Sequence, residues 1–191
     1  MSLPDFPKSR RTPAAAALVL TLTVGVPALG GAGARGAAPQ APVTGAADPE
    51  ALFTSPDPKL HANKQVVLHI VRDLLEAGRW SDAPKYLTQR YIQHNPNVAS
   101  GLEPVMRFFS GMPERPIPDR KSWRTKVVAV LAEGDLVVVA TVRTLPHPVR
   151  KGETYTTTWF DMWRIKDGKA DEHWDGATIT AAAPSPAPPT R

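Results

Sequence analysis

Apolar residues change their spacing once along this chain, near residue 120. Between Leu60 and Gly78, the positions Val67, Ile70, Val71, Leu74 and Leu75 recur at three- and four-residue steps. That period predicts an amphipathic helix with Gly78 as its stop. Ser81 is placed to cap a short second helix with Pro84 in its first turn, and Tyr86, Leu87, Tyr91 and Ile92 extend its apolar cover until Asn95-Pro96-Asn97 ends the segment. A third helix is predicted from Gly101 to Phe109, with Leu102, Val105, Met106 and Phe109 on one side. From Trp123 the period is two. It predicts strands over Trp123 to Leu131, Leu136 to Leu145, Thr154 to Ile165 and Lys169 to about Thr178. Helices followed by an antiparallel meander define an α+β domain, with helices covering one face of a curved sheet and closing it into a pocket.

The flanks read differently. Residues 35–57 are rich in Ala, Gly and Pro and hold few large apolar groups, too little to offset chain entropy on folding, so a disordered linker is expected there. Residues 181–191 form a Pro/Ala tail of the same kind. The 21 prolines crowd residues 1–58 and 181–191, which leaves 58–180 as the foldable part. Residues 1–34 carry Lys8, Arg10 and Arg11, then an apolar run from Ala14 to Leu29, then Ala32-Gly33-Ala34 as a small-x-small cleavage site. The run is short for a membrane span, which needs roughly 20 residues. An export signal cleaved after Ala34 is expected, giving a periplasmic or secreted protein without a stable membrane anchor.

The absence of cysteine in the 191 residues excludes a disulfide scaffold, a thiolate metal site and a cysteine nucleophile. The formal charge of +5 falls to +3 once residues 1–34 are set aside, too weak and scattered to indicate a nucleic-acid partner.

Candidate chemistry concentrates in the last predicted hairpin, which holds Asp161, Glu172, His173 and Asp175. Register decides which of them share a face. A two-residue Asp167-Gly168 turn with a regular ladder sets Asp161 opposite Trp174 and turns His173 and Asp175 away. A three-residue Lys166-Asp167-Gly168 loop with a bulge pairs Asp161 with His173 and Trp159 with Asp175. The second register is preferred because it lets Arg164 pair with Glu172 on the opposite face. It lines one face with Asp161, Trp163, His173 and Asp175, and the other with Phe160, Met162, Arg164, Glu172 and Trp174. Carboxylate and imidazole then sit together within an aromatic surround, suited to proton transfer near neutral pH. A polar network bracing the pocket wall, and a zinc or iron site built from His94, His173 and the two Asp residues, are the other readings.

Three stretches carry a family resemblance: Tyr91-Ile92-Gln93-His94-Asn95-Pro96 followed by Gly101, the strand Trp159 to Ile165, and Asp167-Gly168-Lys169-Ala170-Asp171-Glu172-His173-Trp174-Asp175. Together they resemble the SnoaL-like polyketide cyclase family of the nuclear transport factor 2-like superfamily, over roughly residues 60–180. The resemblance implies a cone-shaped α+β barrel and an acid/base reaction without metal or organic cofactor. It places the acid/base at Asp175. A histidine on the preceding long strand of those cyclases falls at Asp161 here, so the imidazole is expected from His173 or His94. An enolisation or aldol step needs a base beside a carbonyl and a donor for the enolate oxygen. Asp175 is the candidate base, and His173, His94 and Asn95 are candidate donors. Met106, Phe109, Trp123 and Trp163 are candidate apolar walls for a small hydrophobic ligand. A binding module without catalysis is the alternative function. Phe160, Met162 and Trp174 leave an apolar patch on the other sheet face, for which a homodimer packed sheet to sheet is expected.

Overall fold

A computed structural model describes residues 40–179. The expected export signal and Pro/Ala tail lie outside the described residues. Helix α1 (Pro58–His69) starts at Asp57, whose carboxylate accepts the Leu60 N–H at 2.9 Å, with Pro58 in its first turn. It runs without a break into a wider π-helical stretch (Ile70–Glu76), where the Ala77 N–H reaches back to the Arg72 carbonyl. The widening buries Asp73 and Glu76 alongside Ile70, Val71 and Leu74. Gly78 then turns the chain with φ +70°; a Cβ there would lie 2.6 Å from the Pro113 carbonyl oxygen, so the stop expected from sequence is also a close packing point.

The second helix is shorter than its apolar cover suggested. Ser81 lies inside a 3-10 turn (Trp80–Asp82) instead of capping a helix, and α2 covers only Ala83–Tyr86. Tyr86 to Ile92 belongs mainly to a strand, β1 (Leu87–Gln93). Helix α3 follows over Leu102–Phe109. The remaining strands are β2 (Val127–Glu133), β3 (Leu136–Pro146), β4 (Thr154–Lys166) and β5 (Lys169–Asp175). The first of these begins four residues later than the sequence pattern indicated, because Trp123 packs in the core ahead of the sheet.

The strand order is β1-β5-β4-β3-β2. β2 to β5 form the expected antiparallel meander, while β1 adds to the far edge in parallel with β5. The helices cover one face, and the core between them gathers Val67, Leu74, Leu87, Val105, Val137 and Trp163. Residues 43–57, expected as linker, are instead docked on this domain. The Ala46 N–H donates to the Val127 carbonyl, the Val43 N–H donates to Thr156 Oγ1, and Phe53 is fully buried against Trp123. One aromatic ring in an otherwise small-residue stretch supplies the buried surface that composition alone did not suggest. Among the described residues no helix is long and apolar enough to cross a membrane.

Candidate functional site

The β4–β5 hairpin turns on two residues, Asp167 (φ +50°) and Gly168 (φ +74°), with Lys166 opposite Lys169. This is the turn that was not preferred, and Asp tolerates its left-handed position. The ladder does not stay regular. Ile165 pairs with Ala170 but Arg164 pairs with Glu172, so Asp171 is an extra, bulged residue. Asp171 is only 1% exposed; its carboxylate accepts from Thr88 Oγ1 at 2.8 Å and from the Arg90 guanidinium, both on β1. The bulge restores the facing of everything beyond it. Trp163 stands opposite His173 and Asp161 opposite Asp175. The expected cross-strand partners are therefore each displaced by two, while the predicted faces are kept. Arg164 meets Glu172 on the outer face at 3.1 Å.

On the inner face the chemistry converges. His173, 7% exposed, sets Nε2 3.2 Å from Asp161 Oδ1, which also accepts the Trp159 indole N–H. Its Nδ1 lies 2.6 Å from Gln93 Oε1. The same Gln93 oxygen accepts the Asn95 backbone N–H, which fixes it as an acceptor; Nδ1 therefore donates. On the other side of the ring Nε2 faces the Asp161 carboxyl, so the imidazole bridges an amide and an acid. Asp175 is fixed from both sides: Asn95 Nδ2 donates to Oδ2 at 2.7 Å and the Ala177 N–H donates to Oδ1 at 2.8 Å. Donor atoms of Asp161, His173 and Asp175 all lie within 4.8 Å of one another, a nitrogen-and-oxygen set of the type that zinc or iron accepts.

These groups open into a cavity of about 220 Å3. Trp163, Tyr91, Trp80 and Phe109 are among its walls, with Asn95 and Gln93 at the polar end. Burial pushes the Tyr91 phenol well above its ordinary range, and its hydroxyl accepts the Trp163 indole N–H at 3.0 Å. Trp80 stacks on Phe109 with ring centres 4.0 Å apart.

The structure brings together Asp161, His173, Asp175, Asn95, Phe109 and Trp163 from the expected set. It places three others elsewhere. His94 is exposed on the outer face, stacked on Trp174 and 2.8 Å from Glu172, so it supplies neither imidazole nor metal ligand to the cavity. Trp123 packs on Phe53 beside the docked N-terminal segment. Met106 lines a separate cleft of about 500 Å3, on the far side of the Trp80–Phe109 stack. Tyr91 and Gln93 were not singled out as site residues from sequence. Their signal is the alternation of β1: Tyr91, Gln93 and Asn95 share the inner face, while Ile92 and His94 share the outer one.

A curved sheet covered on one face by helices is the architecture of nuclear transport factor 2-like domains. The SnoaL-like domain family matches residues 67–173, more than half of the chain, and the protein belongs to that family. Among solved structures it is similar to a polyketide cyclase candidate from Acidithiobacillus ferrooxidans (15% identity, 60% of this chain and 86% of that one, TM-score 0.44). It is also similar to TsrD from Streptomyces laurentii (20% identity, 63% and 90%, TM-score 0.41). A third similar structure is a SnoaL-like polyketide cyclase candidate from Jannaschia sp. CCS1 (22% identity, 64% and 91%, TM-score 0.44). No curated protein matches the chain.

Proposed function

We propose that this domain binds a small hydrophobic carbonyl compound and moves a proton at the carbon beside the carbonyl, without a cofactor. The observation that carries the reading is the convergence of Asp175 and the Asp161–His173 pair on one aromatic-walled cavity. In this scheme the Asp175 carboxylate takes the proton from carbon, breaking the C–H bond. The enolate oxygen that forms is met by a proton held between Asp161 and His173. Returning the proton to a different carbon gives isomerisation, and attack of the enolate carbon on a second carbonyl gives an aldol ring closure. The volume of about 220 Å3 is below the usual range for drug-sized ligands, roughly 300 Å3 and upward, so it suits a single-ring compound better than a fused polyketide.

A panel of aryl ketones followed by NMR in D2O tests this. Hydrogen–deuterium exchange at the α-carbon should occur with the wild-type chain and fall about 10²–10⁴-fold in Asp175→Asn while binding persists. Binding without exchange in either protein would make the domain a ligand carrier instead.

The outer sheet face supports a homodimer: Phe160 is 57% exposed and Leu131 60%, on the same surface as Val138, Met162 and Trp174. Sedimentation should show a dimer for wild type and a monomer for Phe160→Lys; a monodisperse wild-type monomer at micromolar concentration rules the dimer out. Export rests on residues 1–34, and the mass of the mature protein recovered outside the cytoplasm, starting at Arg35, checks it.

A further inference from the structure

The inner face of β3 and β4 continues beyond the acid–histidine group toward Pro146 and Thr154. Its rungs are in register: Val139 opposite Asp161, Thr141 opposite Trp159 and Arg143 opposite Thr157. Alternation puts all of these on the same side as Asp161. Trp159 joins the two ends of the row. Its indole N–H donates to Asp161 Oδ1 at 3.2 Å, and the Arg143 guanidinium lies over its ring, 4.3 Å from the centre. A cleft of about 400 Å3 opens here, walled by Asn95, Thr141, Val142, Arg143, Trp159 and Ala177. Asn95, which holds Asp175, lines both this cleft and the cavity.

Among the described residues the cleft is lined by a cation and no acid. The other strand arginines are committed: Arg90 to Asp171, and Arg164 to Asp135 and Glu172. Arg143 pairs with no carboxylate among the described residues and rests only on Trp159. An indole face holds a guanidinium in place while leaving its edge donors free, and that planar fork matches a carboxylate.

From this we infer that the ligand is a keto acid, with its apolar head and carbonyl in the cavity and its carboxylate on Arg143. The inference rests on the carbonyl reading above and adds the charge. Arg143 folds back over Trp159, one inner-face step from Asp161, a span of roughly 7 Å. That separation suits a carboxylate about three or four bonds from the carbonyl carbon, as in a γ-keto acid.

The test uses 4-oxo-4-phenylbutanoate and its neutral primary amide, titrated calorimetrically into the purified chain and into Arg143→Gln and Arg143→Lys. Arg143 is exposed, so neither substitution removes core packing. The acid should bind wild type at least about tenfold more tightly than the amide, as expected for hydrogen bonds to a charged group. Arg143→Gln should abolish that preference and Arg143→Lys should retain part of it. Acid and amide binding wild type within about twofold of each other, or an unchanged preference in Arg143→Gln, overturns the anionic tail and leaves the carbonyl pocket standing. Failure of both compounds to bind wild type removes the carbonyl pocket and the keto acid together.

Discussion

Two groups of acids lie in this domain, one buried and one half-buried beside the cavity, and they differ in their partners as well as in their burial. Asp73, Glu76 and Asp171 form the first group, and each holds an arginine. Glu76 accepts from the Arg124 N–H and guanidinium and from the Thr125 N–H and hydroxyl; Asp73 accepts from His69, Arg72 and Tyr86. Burial works to raise Asp73, but its three side-chain hydrogen bonds outweigh that and bring it down to about 2. For Asp171 the Arg90 guanidinium is the leading cause, again lowering the carboxyl to about 2. Burial and the Asp73 carboxylate together push the Tyr86 phenol up to about 12. Asp161 and Asp175 form the second group. Their partners are an indole, an imidazole, an amide and a backbone N–H, with no arginine or lysine within ion-pairing distance among the described residues. Acids saturated by cations are braces that join elements together. The acids beside the cavity are held without an arginine, and they are the ones the proposed reaction uses.

The sharpest way to break this division is to remove one acid of the first group and, separately, the imidazole that Asp161 faces in the second, reading stability and exchange in each. His173→Gln should lower α-carbon exchange by about 10²–10⁴-fold with little change in the thermal midpoint. Glu76→Ala should do the opposite. Two backbone N–H groups and a threonine hydroxyl lose their acceptor, so the chain should lose roughly 3 kcal/mol of stability in urea, while the folded fraction still binds ligand. A site residue whose loss unfolds the chain, or a brace whose loss stops exchange alone, would erase the distinction.

Acid titration sharpens it further. Asp73 and Asp171 have folded values near 2 against 3.8 for the ordinary carboxyl, so the folded state binds fewer of these protons than the unfolded chain. Their stabilising contribution is complete above about 4 and declines as pH falls from there toward 2. The urea midpoint should drop across that window, and Asp171→Asn should flatten part of the drop. The smallest effect is expected at Gln93, which touches no ligand atom in the proposed scheme but fixes the proton on His173 Nδ1. Gln93→Met should cost about tenfold in exchange and displace the pH profile, whereas a merely structural role would leave the profile in place.

Much of the fold was legible because its signals are local. The switch of period, the stop at Gly78 and the turns at Gly134 and Gly168 each depend on a few neighbouring residues. The parallel pairing of β1 was not, since it depends on Asp171 reaching Thr88 and Arg90 across more than 80 positions of sequence. The same gap misplaced His94. With Tyr91 to Gln93 read as the end of a helical segment, nothing separated inner from outer residues, so His94 looked as available as Asn95 and Gln93 was passed over. The docked segment around Phe53 escaped for a related reason: its one anchor is a ring whose pocket is built by Trp123, far along the chain.

Asp171 is a spacer whose effect is felt at every residue after it. Deleting it would straighten the hairpin and still leave the imidazole and the second acid pointing indoors, because the turn already sets that alignment. Keeping the residue but letting the strand slide into an even ladder would instead carry both to the outside and bring an indole and a glutamate in. The grip of the neighbouring strand on a single carboxylate thus determines which side of the β-layer carries the imidazole.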